Sequence, residues 1–263
     1  QVALVEMLRS WGIAPDAMIG HSVGEVAAAH IAGILSLDEA IRLVALRGRI
    51  MQKATGMGKM VSVSMTTEQA RNIIAGYEDR VAIAAVNDPG SIVLSGAPQA
   101  IDDIMVRCEK QGFVSRPVRV NYAFHSPQME PFERELVDRL VRVDTRRATL
   151  AMYSTVLADC VDGKELDVRY WGRNIRDTVD FTGAVFAAIR DGYQLFLEVG
   201  PHPVLTANIQ QCLAAKKSDG LATFTMRRNQ DQRQTLLEAT GALYTRGCLP
   251  EWPRVVPSGG KTV

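Results

Sequence analysis

The stretch that most constrains this chain is Gly20-His21-Ser22-Val23-Gly24-Glu25. It reads Gly-x-Ser-x-Gly between the apolar Ala17-Met18-Ile19 and an Ala-rich segment from Val23 to Ile34. That context predicts a short buried strand, a sharp turn and a packed helix. Such a turn lifts a serine hydroxyl clear of the sheet, with small residues on either side where the backbone crowds. It also puts the backbone N–H of Val23 at a helix start, where a developing oxyanion can be held. The competing reading of these residues is a Gly-Ser turn in a Rossmann-like layer with no chemistry attached.

Around the turn the chain alternates helices and strands. Residues 1–10 read as an amphipathic helix ended by Gly12 and Pro15, and a further helix runs from Leu37 to about Ala54. Ser36 and Glu39 have capping-box spacing at its start. Its apolar stripe is expected at Leu37, Ala40, Val44, position 47 and Met51, with Asp38, Arg42 and Arg49 on the opposite face. Position 47 is Arg47. An arginine in an apolar stripe is costly unless it meets an anion, and the alternatives are a snorkelling side chain or a structural ion pair.

After Gly56-Met57-Gly58 the pattern changes. Met60–Met65 alternates as a strand, Thr67–Ala75 suits a helix, and Val81–Val86 and Ser91–Ser95 read as strands joined at Asn87-Asp88-Pro89-Gly90. A helix at Pro98–Lys110 and a strand at Phe113–Val120 complete a β-α-β-β-α-β order, the ferredoxin-like unit. Later segments alternate again: helix from Pro131 to about Val143, strand Ala151–Val156, partial helix Trp171–Asp191, strand Leu195–Val199, and helices Val204–Ala215 and Gln230–Arg246. The fold class is therefore read as α/β, a hydrolase-like parallel-sheet core with an inserted ferredoxin-like subdomain. Residues 1–58 and 123–243 form the core, 59–122 the insertion and 244–263 a linker. The chain begins inside a helical pattern without an initiator methionine and ends in Pro257-Ser258-Gly259-Gly260-Lys261, so it reads as a piece of a longer polypeptide.

Charge and cysteine usage exclude several classes. With 30 basic and 29 acidic residues the net charge is +1, which gives no electrostatic case for nucleic acid or an anionic membrane. Cys108, Cys160, Cys212 and Cys248 lie far apart with no CxxC pair, which argues against a zinc site or a disulfide framework and fits a reducing, cytoplasmic setting. No apolar run reaches membrane-spanning length and no signal-peptide pattern stands at the start.

A serine nucleophile needs a base, and the chain has four histidines, His21, His30, His125 and His202. His21 adjoins Ser22, so its ring points away from the hydroxyl, and His30 lies two turns down the same helix. His125 stands in Tyr122-Ala123-Phe124-His125-Ser126-Pro127, where the chain leaves the insertion, and His202 in Gly200-Pro201-His202-Pro203. The usual Ser, acid, His order of α/β-hydrolases favours His202, whereas the two prolines around it stiffen backbone more than they aim a ring. Bare chemistry leaves both open.

Taken together the segments resemble the malonyl-CoA:acyl carrier protein transacylase family, and specifically the acyltransferase domains of modular type I polyketide synthases. The residues that carry the resemblance are Gly20–Glu25, Arg47-Gly48-Arg49, Ala85–Pro89, Tyr122–Pro127, Tyr170-Trp171 with Asn174, and Glu198–Pro203, in the family's order. Leu243-Tyr244, Gly247 and Trp252 are similar to the family's post-acyltransferase linker.

The resemblance implies Ser22 as nucleophile and His125 as base, with the base oriented by a backbone carbonyl from near the Gly200–Pro203 turn. It implies Val23 N–H in the oxyanion hole, Arg47 as clamp for a malonyl-type carboxylate, and His21, Asn87, Tyr122 and Phe124 beside the substrate. The implied reaction is ping-pong transfer of an extender from acyl-CoA to a phosphopantetheine arm. No cofactor or metal is expected in the domain itself. The implied partners are an acyl carrier protein domain and flanking ketosynthase and linker domains, with no nucleic acid and no membrane.

Val23 and Phe124 match the malonyl pattern, Phe124 filling the space a C2 methyl would need, while Tyr122 matches the methylmalonyl pattern. The family's upstream Gly-Gln/His-Gly-x-Gln stretch supplies a second oxyanion donor. Only 21 residues precede Ser22, so the chain on its own is expected to load acyl groups poorly. A serine hydrolase or thioesterase is the rival reading. It would need an acid behind the histidine and no Arg47.

Overall fold

The computed structural model describes residues 1–256. In chain order its elements are α1 (Val2–Ser10), β1 (Ala17–Ile19), α2 (Gly24–Ile31), α3 (Leu37–Gln52), β2 (Lys59–Ser64), α4 (Thr67–Ile73), β3 (Val81–Asp88), β4 (Ser91–Gly96), α5 (Pro98–Lys110) and β5 (Ser115–Pro117). They continue with α6 (Glu130–Leu140), β6 (Ala151–Ser154), β7 (Asp159–Val161), α7 (Val168–Arg176), β8 (Val179–Asp180), α8 (Phe181–Arg190), β9 (Leu195–Glu198), α9 (Thr206–Ala215), β10 (Leu221–Phe224), α10 (Gln232–Tyr244) and α11 (Trp252–Val255). Compactness separates two units, Ala17–Ala188 and Gln1–Asp16 with the chain from Ile189 onward.

Within Ala17–Ala188, strand β1 pairs in parallel with β6, and β7 adds antiparallel to β6. Against them pack Leu43 and Ile50 of α3, Phe132, Leu136 and Leu140 of α6, and Trp171 and Ile175 of α7. Burying a side chain of this size contributes about 1.5–3 kcal/mol, so this cluster is what holds the site's helices together.

The block from β2 to β5 builds the ferredoxin-like sheet, in strand order β5-β2-β4-β3 with every pair antiparallel. It has a core of its own, with Val61, Val63, Ile92 and Leu94 covered by Ala70 and Ile73 of α4 and Ile101 and Ile104 of α5. The two-residue β8 extends this sheet in parallel along β3, pairing Val179 and Asp180 with Ala85 and Val86.

Two local expectations change. The capping box at α3 is one-sided: Ser36 Oγ accepts from Glu39 N–H at 3.1 Å, but the Glu39 carboxylate bonds Arg42. The reciprocal box forms instead at α4, between Thr66 and Gln69. The buried stripe of α3 is Ala40, Leu43, Arg47, Ile50 and Met51, while Leu37 and Val44 are 48% and 41% exposed. The helix is rotated toward Leu43 and Ile50, and Arg47 stays on its buried side.

The other unit is built on α1 and the chain after Ile189. Leu8 and Ile13 pack on Leu236 and Leu243 of α10, and β9 and β10 pair in parallel. Glu198 ends β9 and accepts the backbone N–H groups of Val204, Leu205 and Thr206, so a carboxylate caps the start of α9. In the expected linker, Tyr244 and Trp252 meet edge to face at 5.3 Å and Glu251 N–H donates to Trp11 O at 2.7 Å. Pro257–Lys261 lie outside the described residues. Among the described residues no helix is long and apolar enough to cross a membrane, and no group of His, Cys, Asp and Glu could hold a metal ion.

Candidate active site

Strand β1 runs into Gly20, the chain reverses at Ser22, and α2 starts at Gly24. A Cβ on Gly20 would lie 2.3 Å from Glu25 Cα, so only glycine lets the strand end approach the first turn of the helix. A Cβ on Gly24 would meet nothing within 4 Å. The crowding expected on both sides of the serine therefore exists on the Gly20 side alone. Ser22 has φ +53°, in the left-handed region that costs an L-residue roughly 1 kcal/mol or more. Its hydroxyl is presented outward as a result. The Val23 N–H at the helix start makes no hydrogen bond among the described residues.

Ser22 Oγ lies 2.8 Å from His125 Nε2. His125 Nδ1 lies 2.9 Å from the Asp177 carbonyl oxygen, which can only accept, so Nδ1 carries the proton and Nε2 is free to accept from the serine. The His125 backbone N–H donates to Ile175 O at 3.2 Å, and His125 itself sits at φ +58°. The orienting carbonyl is thus that of Asp177, at the end of α7, and not one from Gly200–Pro203. The Gly200 N–H and carbonyl are both occupied by Thr225 Oγ1, at 3.1 and 3.2 Å. The Asp177 carboxylate is engaged by Arg173 Nε at 2.7 Å.

Arg47 Nη2 donates to the same Ser22 Oγ at 3.2 Å, and its buried Nε has no hydrogen-bond partner among the described residues. No carboxylate forms an ion pair with it among the described residues. Burial lowers the Arg47 guanidinium to about 10, partly offset by the nearby charge of Glu25, so it remains cationic at neutral pH. Burial is also the main cause that lowers His125 to about 3, followed by the charges of Arg47 and His21, against a small opposing effect of the Asp177 carbonyl. The imidazole is neutral and ready to accept a proton.

A further acid underlies the turn. Glu25 is fully buried, and its carboxylate accepts from Thr155 N–H at 2.5 Å, Thr155 Oγ1 at 2.7 Å, Tyr170 OH at 2.6 Å and Asn174 Nδ2 at 2.9 Å. Burial raises its pKa above the ordinary carboxylate range, and those four bonds oppose the rise. Asn174 Nδ2 also donates to Ser22 O at 3.2 Å, linking the buried carboxylate to the backbone of the turn. Sequence reasoning gave Glu25 no role, since an acid in a first helical turn reads as a surface charge. The available signal was Tyr170 and Asn174 at i, i+4 on one face of α7.

The remaining expected residues fall in two places. His21 Nε2 lies 2.9 Å from Asn87 Oδ1 and its ring is 5.6 Å from that of Phe181, so His21 and Asn87 come together beside Ser22. Tyr122 and Phe124 stack at 4.6 Å and 10°, with Thr55 Oγ1 donating to Tyr122 OH at 3.2 Å. His30 Nδ1 meets Leu35 O at 3.0 Å, and His202 Nδ1 accepts from Arg228 N–H at 3.3 Å. Neither is bonded to the serine.

The sequence pattern described as an acyl transferase domain matches residues 1–249. The spectinabilin polyketide synthase system protein NorA' of Streptomyces orinoci is 38% identical over 260 residues, which covers 98% of this chain and 7% of that protein. Erythronolide synthase EryA3 of Saccharopolyspora erythraea is 38% identical over 258 residues, 97% of this chain and 8% of that protein. The chain thus spans less than a tenth of the length of either of these two relatives. Among solved structures, the acyltransferase domain from module 8 of the salinomycin polyketide synthase superposes with TM-score 0.93 at 38% identity, over 96% of this chain and 60% of that one.

Proposed function

This chain belongs to the acyl transferase domain family, and on that premise we propose that it moves an extender, malonyl by preference, from coenzyme A to the phosphopantetheine thiol of an acyl carrier protein. The transfer runs through an acyl-Ser22 intermediate, within a polyketide synthase that also carries ketosynthase and linker domains. The observation that supports this best is the convergence on one oxygen: Ser22 Oγ is hydrogen-bonded both to the neutral Nε2 of His125 and to a buried arginine that has no ion-pair partner among the described residues.

The steps balance without water or cofactor. Ser22 Oγ–H gives its proton to His125 Nε2 as Oγ attacks the thioester carbon, and the oxyanion rests on the Val23 N–H. Collapse expels the coenzyme A sulfur, which takes the proton from the imidazolium. The carrier's thiol then gives its proton to His125 and attacks the acyl-serine. Its collapse returns the proton to Ser22 Oγ.

Arg47 selects for a carboxylate because a planar guanidinium binds one in two parallel bonds, while a substrate without one leaves the buried cation unpaired. His21, Asn87, Tyr122 and Phe124 shape the acyl pocket. Phe124 occupies the room a C2 methyl would need, which supports malonyl over methylmalonyl.

Intact-protein mass spectrometry of the Ser22 adduct, with malonyl-, methylmalonyl- and acetyl-CoA, tests the reading. Arg47→Ala is expected to lose malonyl loading by roughly a hundredfold, the factor for about 3 kcal/mol of charged hydrogen bonding, and to keep acetyl loading. A hydrolase would keep malonyl turnover in Arg47→Ala, and that result refutes the transferase reading. A wild-type preference for methylmalonyl overturns the Phe124 argument alone.

A further inference from the structure

We propose that Thr178 is a positioning residue for His125, acting by fixing the base-holding segment to strand β3 of the ferredoxin-like sheet. The proposal rests on reading His125 as the general base. His125 is held at two points, its backbone N–H on Ile175 O and its Nδ1 on Asp177 O, and both acceptors lie in a three-residue stretch at the end of α7. Asp177 has left the helix, with φ −76° and ψ 158° at the C-cap. Its carbonyl is therefore aimed by the chain beyond it, not by the helical hydrogen-bond ladder.

Beyond Asp177 the chain is fastened repeatedly to β3. Thr178 Oγ1 donates to Ile83 O at 2.7 Å, Val179 and Asp180 pair with Ala85 and Val86, and Thr182 Oγ1 donates to Val86 O at 3.1 Å. The pairing of β3 with β4 is irregular at two places, between Ile83 and Ala85 and between Val86 and Asp88. The two threonine hydroxyls land on the carbonyls of Ile83 and Val86, where these irregularities begin. A bulge breaks the ladder and frees a carbonyl for another donor. The same strand then presents Asn87 to His21, the neighbour of Ser22. One strand thus fastens the chain on both sides of the serine–histidine pair, and Thr178 is the fastening one residue from the orienting carbonyl.

Thr178 touches no reacting atom, so its effect has to appear in the rate of proton transfer and not in substrate binding. The test is acyl loading by the full chain in Thr178→Val, Thr178→Ser and His125→Ala. Thr178→Val keeps the shape and removes the donor; it is expected to lower kcat by about tenfold with KM for acyl-CoA within twofold, since small misplacements of a catalytic group cost one to two orders of magnitude. Thr178→Ser is expected to restore the rate.

The Nδ1 proton resonance of His125 in the resting protein provides a second measurement, independent of turnover. It is expected to shift and broaden in Thr178→Val and to stay in Thr178→Ser. A Thr178→Val protein with wild-type kcat and an unmoved resonance overturns the proposal, as does a loss carried by KM. If His125→Ala still loads acyl groups, it is the reading of His125 as base that fails.

Discussion

The protonation of His125 gives a test that separates catalysis from stability. Burial, Arg47 and His21 lower the imidazole from an ordinary 6.5 to about 3. In the free protein the imidazole stays neutral well below pH 6, so if it is the base proposed above, kcat/KM for acyl loading is expected to show no acid limb near 6.5. In the complex a substrate carboxylate would offset the Arg47 charge that disfavours the imidazolium, so the limb in kcat is expected at higher pH than the limb in kcat/KM.

The same displacement acts on folding. Between pH 6.5 and about 3 the unfolded chain binds a proton that the folded chain refuses, so this group's contribution to stability is intact above 6.5 and is lost as pH falls toward 3. The full displacement corresponds to about 5 kcal/mol as an upper figure. Denaturant unfolding from pH 7.5 to 4.5 should show a steep loss of stability in the wild type and a shallower one in His125→Gln. A kcat/KM limb at about 6.5 together with equal stability slopes in the two proteins would refute the reasoning, because it would mean that His125 titrates like an exposed histidine.

The buried acid and the glycines supply further tests. Glu25→Ala leaves the N–H and hydroxyl of Thr155 with no acceptor, and it is expected to cost about 3–5 kcal/mol, on the order of 10 °C in thermal unfolding; a loss under about 1 kcal/mol would show that the carboxylate is not the acceptor those donors depend on. Gly20→Ala forces a Cβ to 2.3 Å from the Glu25 backbone and is expected to reduce acyl loading by roughly a hundredfold, whereas Gly24→Ala meets open space and should load normally. Equal damage from both glycine substitutions would show that crowding at Gly20 is not what the turn requires.

Side-chain pattern carried most of the fold. The order of the ferredoxin-like unit and the strand–turn–helix at Ser22 were both legible, because alternation, glycine turns and apolar runs each leave a mark on several residues. Features that depend on backbone or on a distant neighbour left no such mark. The carbonyl that orients His125 could belong to any residue, and nothing in Ile175-Arg176-Asp177 advertises it. β8 is two residues long, and β7 and β10 are three and four, too short for alternation to register. The exposed Leu37 and Val44 misled the phase of α3, although both its expected and its observed stripe contain position 47. Glu25 looked like an ordinary first-turn acid until Thr155, Tyr170 and Asn174 were brought around it.

Ser22 and His125 both stand in left-handed backbone, at φ +53° and +58°. Each position would be more comfortable as glycine, which enters that region without a Cβ penalty. Selection for a sturdier molecule alone would therefore erase the two side chains on which the proposed chemistry depends. Variants that gain heat resistance at either position should be read as candidates for lost activity, and a search for stable versions of this domain has to hold both residues fixed and look for its gains elsewhere.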